Sequence, residues 1–368
     1  MTPGFDVPMS IVIAAGGTGG HVYPAVALAR EFQRQQEEVM ITFVGSGKKL
    51  ESTILAHEGF TVAHIDVKGM VGRGAWGGMQ SVLLLPKAIW QSMKILRARS
   101  ANLVIGTGGY FSPPVVFAAA LLGMRRIIME PNAIPGLANR VLGPIADRVF
   151  LAFESAKSYF NESKVRIVGT PVREEFFREM EPTESPAQNT LLIFGGSQGA
   201  KAINTAVLEA LQVSPVLRHT CSIIHQTGEA DHERVRKTYE AAGIQAQVVP
   251  FLFDMPRVLK SADLVISRSG AGTLAELAVC GKASILIPYP HATHGHQEKN
   301  ARSVEASGAA SVLLESDLTG ESLAHRIEMF LNNPDQLRKM GELSLAGRNV
   351  DATQRMIQEC QLLLNTAS

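Results

Sequence analysis

The chain has little cysteine, few aromatic side chains and no long apolar runs, and each shortage removes a class of protein. Only Cys221, Cys280 and Cys360 occur in 368 residues, with no C-x-x-C spacing. This argues against a disulfide framework and a cysteine-rich metal centre, and it suggests a reducing, cytoplasmic setting. No stretch approaches 18 uninterrupted apolar residues, so no transmembrane helix is expected. The opening "MTPGFDVPMS" carries neither the basic nor the apolar region of a secretory signal. Aromatics at 6% within a 46% apolar composition suit an α/β protein packed with Val, Ile, Leu and Ala better than a β-sandwich.

A fourth shortage is local. From Val67 through Met129 there is no Asp or Glu, where the average of 34 acids in 368 residues would place about six. The same window holds Lys68, Arg73, Lys87, Lys94, Arg97, Arg99, Arg125 and Arg126. One part of the first half is therefore basic, although the whole chain carries only +1.

What is present is alternation. Strand-like runs at 10–15, 40–45, 61–65, 102–106, 126–129, 148–152 and 165–168 are separated by helix-like segments near 22–36, 49–57, 79–98, 113–122, 136–144 and 154–159. Right-handed β-α-β crossovers of this kind build a parallel sheet covered on both faces. The polar, proline-containing "REMEPTESPAQN" at 178–189 reads as a linker. The alternation then restarts at "TLLIFGG" and runs on towards the end, with helices expected at 199–212, 229–242, 255–260, 273–280 and 296–306. The stretches "IVIAAGGTGGH" and "LLIFGGSQGAK", 180 residues apart, are each a strand, a glycine turn and a helix start. Two doubly wound Rossmann-like domains facing across a cleft account for this most simply. They are expected at 1–175 and 176–344, with a C-terminal helix at about 345–366 available to pack back on the first.

Glycines between a strand and a helix allow close backbone approach and aim free N–H groups at an anion. Common phosphate motifs nevertheless fit poorly here. The dinucleotide fingerprint would read Gly17, Gly19 and then Val22 in place of its third glycine, and "MITFVGSG" supplies no acid at the end of the second strand. The Walker pattern is absent. In "SRSGAGTLAELAVCGK", residues 269–273 are expected to form a loop, with Glu276 in the first turn of the helix that follows. Loop amides there can take a diphosphate, and the carboxylate can accept bonds from ribose hydroxyls. A first-turn glutamate can equally just complement the helix dipole.

The segments "GGTGGHVYPAVALA", "GTGGYFSPPV", "EPNAIPGLANR", "VGTPVR", "FGGSQGAKAIN", "SRSGAGTLAELAVCGKASILIPYP" and "HQEKNA" resemble, in order and spacing, the bacterial peptidoglycan N-acetylglucosaminyltransferases of the GT-B fold. The resemblance covers nearly the whole chain. It implies transfer of GlcNAc from UDP-GlcNAc to lipid I, undecaprenyl-pyrophosphoryl-MurNAc-pentapeptide, at the cytoplasmic face of the plasma membrane. On the second domain it implies that Ser197 and Gln198 approach the diphosphate or sugar, and that Leu252 meets the uracil through its backbone. Ala271, Gly272, Thr273, Leu274, Ala275 and Glu276 would form the diphosphate loop and ribose anchor, and Gln297 would bond sugar hydroxyls. Thr18, Gly19, Gly20, Asn132 and Arg173 would complete the donor site from the first domain. Gly16, Gly17, Gly108, Gly109, Tyr110 and Asn139 would take the acceptor.

Two departures from the family pattern stand out: Met129 and Pro131 replace polar residues, and "HATHGHQ" replaces a loop that often carries acids. His291, His294 and His296 invite a zinc reading, but no cysteine and no nearby acid except Glu298 completes a tetrahedral set. With no D-x-D pair in the chain, no metal or other cofactor is implied.

An inverting transfer needs a base, and His21, at a helix start whose dipole disfavours the imidazolium, is the first candidate; Glu130 is its rival. The basic window also gains a use. Trp76, Leu83 and Trp90 among Arg73, Lys87 and Lys94 would suit docking on an anionic membrane, although an amphipathic helix with a solvated basic face gives the same pattern. Contacts with other cell-wall synthesis or division proteins are open, and nucleic-acid binding would leave the donor motifs idle. A GT-B-like UDP-sugar epimerase, which would share the donor loop, remains the alternative.

Overall fold

The computed structural model describes residues 9–16, 19–36, 38–45, 55–67, 74–178 and 189–365, with Gly19 and residues 74–83 as backbone only. It divides into two compact units, Met1–Arg173 with Asn349–Ser368, and Glu174–Arg348.

In the first unit, seven strands pair in parallel: β1 (Ser10–Ala14), β2 (Met40–Gly45), β3 (Thr61–His64), β4 (Leu103–Gly106), β5 (Arg125–Glu130), β6 (Arg148–Leu151) and β7 (Val165–Ile167). Their spatial order is β3-β2-β1-β4-β5-β6-β7. The central strands are near-continuous apolar runs because both faces are covered. Ile11 and Ile13 of β1 join Leu103, Ile105 and Ile127 in one core, while Val12 and Ala14 join Val104, Ile128 and Val149 in the other. The helices are α1 (Gly19–Gln35), α2 (Gly74–Ala98), α3 (Ser112–Leu121) and α4 (Leu137–Leu142).

The second unit repeats the plan. Strands β8 (Asn189–Phe194), β9 (Cys221–Gln226), β10 (Ala246–Val249), β11 (Leu264–Ser267), β12 (Ala283–Leu286) and β13 (Ser311–Val312) form a parallel sheet of order β10-β9-β8-β11-β12-β13. Around it lie α5 (Lys201–Val213), α6 (Pro215–Thr220), α7 (His232–Ala241), α8 (Met255–Ser261), α9 (Ala271–Cys280), α10 (His296–Ala306), α11 (Gly320–Leu331) and α12 (Pro334–Ala346).

The last helix, α13 (Ala352–Asn365), belongs to the first unit. Met356, Ile357, Cys360 and Leu363 enter the core that holds Ile11, Ile13 and Val26. Each such burial contributes about 1.5–3 kcal/mol, which outweighs the rim ion pairs of Glu359 with Arg148 (3.3 Å) and Arg166 (2.9 Å). Burial pushes the Cys360 thiol far up, so it packs as a small hydrophobe.

Several boundaries differ from the sequence expectations. The first unit ends at Arg173 rather than 175, and the second runs to Arg348 rather than 344. The reason is that α12 is pinned to the second unit through buried Met340 and the Ser344 hydroxyl, which donates to the Leu277 carbonyl at 3.3 Å. Most of the expected linker, 179–188, and most of the helix expected at 49–57 lie outside the described residues. α6 was not expected; Pro215 starts it and the Ser214 hydroxyl caps it by accepting from the Leu217 N–H.

The arrangement that positions a site is common to both units. β1 lies between β2 and β4, and β8 lies between β9 and β11, so strand order reverses at the first strand of each sheet. Ligands of open α/β sheets bind beyond the carboxyl ends of the strands at such switch points. The glycine turns after β1 and β4, and the turns after β8 and β11, sit there.

Candidate active site

In the first unit the two turns are held together by His21. Its Nδ1 lies 2.8 Å from the carbonyl oxygen of Thr107, in the turn after β4. A carbonyl can only accept, so Nδ1 carries the proton and Nε2 is the basic nitrogen of the neutral ring. The Thr107 carbonyl is fixed in turn, since the Thr107 N–H donates to the Ala14 carbonyl at 3.1 Å. The ring lies against Gly108 and Gly109: a Cβ on Gly108 would meet His21 Cε1 at 3.3 Å, and one on Gly109 would sit 3.9 Å from Nε2. With φ of +93° and +68°, both positions favour glycine. Ser112 completes the turn, accepting from the Gly108 N–H at 2.9 Å.

Glu130 closes β5 and is 2% exposed. Its Oε1 accepts from the Asn132 backbone and side-chain N–H groups, both at 3.0 Å. Its Oε2 accepts from the Gly136 N–H and from Asn139 Nδ2, both at 2.9 Å. Four donors fill the roughly four lone-pair positions of a carboxylate, so Glu130 anchors the 131–139 loop. This bonding gives Glu130 a structural task and makes His21 the more accessible of the two base candidates. Asn139 also donates to the Met129 carbonyl at 2.9 Å, while its Oδ1 is buried without a hydrogen bond. Its Nδ2 lies 3.4 Å from the position of a Gly108 Cβ. Gly20, His21, Thr107, Glu130, Thr170 and Met356 are among the residues lining a small recess. Met129 and Pro131 line the same recess, and Met129 also packs into the core, which is why an apolar residue is accepted there. Arg173 stacks its guanidinium 4.6 Å over the ring of Tyr23, and Tyr110 packs on Phe111 at 4.1 Å. Gly17 and Thr18 lie outside the described residues.

In the second unit, Ser197 and Gln198 occupy the turn between β8 and α5, closed by the Gly199 N–H donating to the Gly196 carbonyl at 2.8 Å. Gly270 begins α9 with no side-chain cap, so the first amides of the helix point beyond the β11 edge of the sheet. The helix starts at Ala271 instead of 273, because the glycine N-cap allows an earlier start, and this moves Glu276 into the second turn. Gln297, on the first turn of α10, accepts the Tyr289 N–H on Oε1 at 3.0 Å, which aims its amide N–H₂ away from that loop. Leu252 is buried beside exposed Phe253.

Sequence reasoning missed Arg268. It is 9% exposed, donates to the Ile287 and Pro288 carbonyls at 3.1 and 3.0 Å, pairs with Glu315 at 2.5 Å and lies 5.3 Å from the centre of the Tyr289 ring. It thereby ties the turn after β11 to the segment leading to Gln297. Its partners are 19 to 47 residues away in sequence, so no local pattern marks it. Of the three loop histidines, His291 and His294 are exposed and His296 Nδ1 donates to the Thr293 carbonyl at 2.8 Å. Among the described residues, no group of three or more His, Cys, Asp or Glu side chains converges.

The basic window is only partly described. Arg73, and the side chains of Trp76 and Leu83, lie outside the described residues. Trp90 is 56% exposed with the Lys94 ammonium 3.6 Å over its ring. Lys87 is paired with Asp66 at 2.7 Å, and its ammonium holds that carboxyl below the usual range.

Two parallel α/β units, each with turns at its switch point, and a match to glycosyltransferase domains over most of the chain define a glycosyltransferase of the GT-B fold. Residues 11–151 match the glycosyltransferase family 28 N-terminal domain and residues 190–356 its C-terminal domain. The UDP-N-acetylglucosamine--N-acetylmuramyl-(pentapeptide) pyrophosphoryl-undecaprenol N-acetylglucosamine transferase of Syntrophus aciditrophicus is 42% identical over 96% of this chain and 98% of its own. The crystal structure of Acinetobacter baumannii MurG covers 96% of this chain and 99% of its own, with a TM-score of 0.76 and 30% identity. A UDP-N-acetylglucosamine 2-epimerase described as putative, from Listeria monocytogenes, shares the fold alone, at 12% identity and a TM-score of 0.72. The chain belongs to glycosyltransferase family 28 and, within it, to the MurG transferases.

Glu130→Gln is expected to lower the unfolding free energy by about 2 kcal/mol or more, since the amide N–H₂ would face two donors. Chemical denaturation measures this, and loss of turnover with unchanged stability would favour Glu130 as the base.

Proposed function

We propose that the chain transfers GlcNAc from UDP-GlcNAc to the C4 hydroxyl of MurNAc in undecaprenyl-pyrophosphoryl-MurNAc-pentapeptide, converting lipid I to lipid II in peptidoglycan synthesis. The observation that carries this reading is the near-full-length likeness to transferases of that name. An epimerase is disfavoured because its likeness is confined to the fold.

The residues fit an inverting displacement. The C4 oxygen forms a bond to the anomeric carbon of GlcNAc, the bond from that carbon to the diphosphate breaks, and UDP departs with the bonding pair. The hydroxyl proton passes to His21 Nε2, whose ring is held in the required tautomer by Thr107. The acceptor binds the first unit, with the Gly108–Gly109 turn admitting close approach beside the His21 ring and Asn139 packed against that turn. UDP-GlcNAc binds the second unit. The α9 amides meet the leaving diphosphate, Glu276 holds the ribose, the Leu252 backbone meets the uracil, and Ser197, Gln198 and Gln297 contact the diphosphate or sugar.

A lipid-linked acceptor supports a peripheral position at the cytoplasmic face of the plasma membrane. No helix among the described residues is long and apolar enough to cross a membrane. Exposed Trp90 with Lys94 on α2 supports docking on anionic lipid, and Lys87, already neutralised by Asp66, adds little.

Incubation with labelled UDP-GlcNAc and a lipid I analogue is expected to yield disaccharide-lipid and UDP in equal amounts. Release of an epimerised UDP-sugar, or no product, would overturn the assignment. In flotation, anionic vesicles are expected to retain the protein more than neutral ones, and equal retention or none would refute electrostatic docking.

A further inference from the structure

Beneath the donor-side turn of the second unit lies a buried polar chain that the reaction does not touch. His225, on β9, is fully buried. Its Nδ1 is 3.0 Å from the Tyr239 hydroxyl on α7, and its Nε2 is 3.1 Å from Asn204 Oδ1 on α5. The direction of every bond is determined. Asn204 Nδ2 donates to the Thr227 carbonyl at 3.0 Å and to Asp231 at 2.8 Å, so its amide nitrogen faces two acceptors and Oδ1 must accept. His225 therefore carries its proton on Nε2, and Nδ1 accepts from the Tyr239 O–H. Asp231 is itself held by both arms of Arg234 at 2.7 Å.

The end of this chain is the Thr227–Gly228 peptide, and the glycine turn rests directly on it. A Cβ on Gly199 would fall 1.9 Å from the Thr227 oxygen, and one on Gly228 would fall 2.1 Å from the Gln198 oxygen. Both glycines have positive φ, +72° and +80°. Backbone thus packs on backbone, with no side chain between the relay's last acceptor and the residue next to Ser197.

We propose that Tyr239, His225 and Asn204 are positioning residues for the donor turn: by fixing the Thr227–Gly228 peptide they set how Ser197 and Gln198 meet a nucleotide diphosphate-sugar. This rests on the donor reading of the second unit given above. Burial keeps His225 neutral, pushed down to about 3, so its bonding pattern does not change across the working pH range. Charged groups near it, Asp231 and Arg234, act in opposite directions. A relay that cannot titrate suits a fixed support.

The test compares Tyr239→Phe, which removes one donor and keeps the ring, with Val235→Ala, which empties a fully buried site on the same helix without touching the relay. Both variants are expected to melt at lower temperature. Only Tyr239→Phe is expected to raise KM for UDP-GlcNAc and Kd for UDP, by roughly five- to tenfold at a temperature where both are folded, with kcat changed much less. Hydrogen exchange across 195–200 should quicken in Tyr239→Phe alone. An unchanged KM and exchange in Tyr239→Phe, or an equal rise in both variants, would overturn the proposal. Failure of the wild-type protein to bind UDP-GlcNAc at all would instead overturn the donor reading on which it rests.

Discussion

A single hydrogen bond, from His21 Nδ1 to the Thr107 carbonyl, organises the first unit's site. It exists only because β1 and β4 are neighbours in the sheet, with Ala14 opposite Gly106, so that the turns leaving both strands emerge side by side. The bond fixes both the orientation and the tautomer of the imidazole, and it makes Nε2 the nitrogen that can take a proton. Glycine at 108 and 109 follows from the same arrangement, because positive φ and an adjacent ring leave no comfortable place for a side chain. Glu130 and Asn139 then brace the neighbouring loop from beneath.

The second unit solves a related problem differently. Its turn carries no imidazole, and its precision comes from backbone contact between residues 198–199 and 227–228. What lies under that contact is a buried chain of neutral hydrogen bonds ending in one ion pair. Burying so many polar groups is costly unless each is satisfied, and Asn204 uses both amide hydrogens and its carbonyl oxygen in hydrogen bonds. Arg268 performs a comparable linking task on the other side of β8, through two carbonyls and Glu315.

Much of this was legible in the sequence. Apolar runs such as "SIVIA" and "TLLIF" mark strands buried on both faces, and glycine-rich turns following them place the switch points. His21 was legible for the same reason, since it immediately follows such a turn. Tertiary satisfaction was not. Glu130 reads as a chemically available carboxylate until four donors from Asn132, Gly136 and Asn139 are seen around it. The start of α9 was misplaced because a glycine N-cap leaves no side-chain signal, and Glu276 moved with it. His225 sits in a strand where the alternation "CSIIHQ" gives no hint that Tyr239 and Asn204 will reach it. The return of α13 to the first unit, by contrast, was expected from the sequence, and Met356, Ile357, Cys360 and Leu363 carry it by entering the core of Ile11, Ile13 and Val26.

The central claim is that His21 supplies the base, and the most direct measurement sets turnover against donor affinity in His21→Ala. Turnover is predicted to fall by about 10²- to 10⁴-fold, the usual worth of a positioned base, while the dissociation constant for UDP-GlcNAc stays within about twofold. A variant that keeps wild-type turnover would contradict the account.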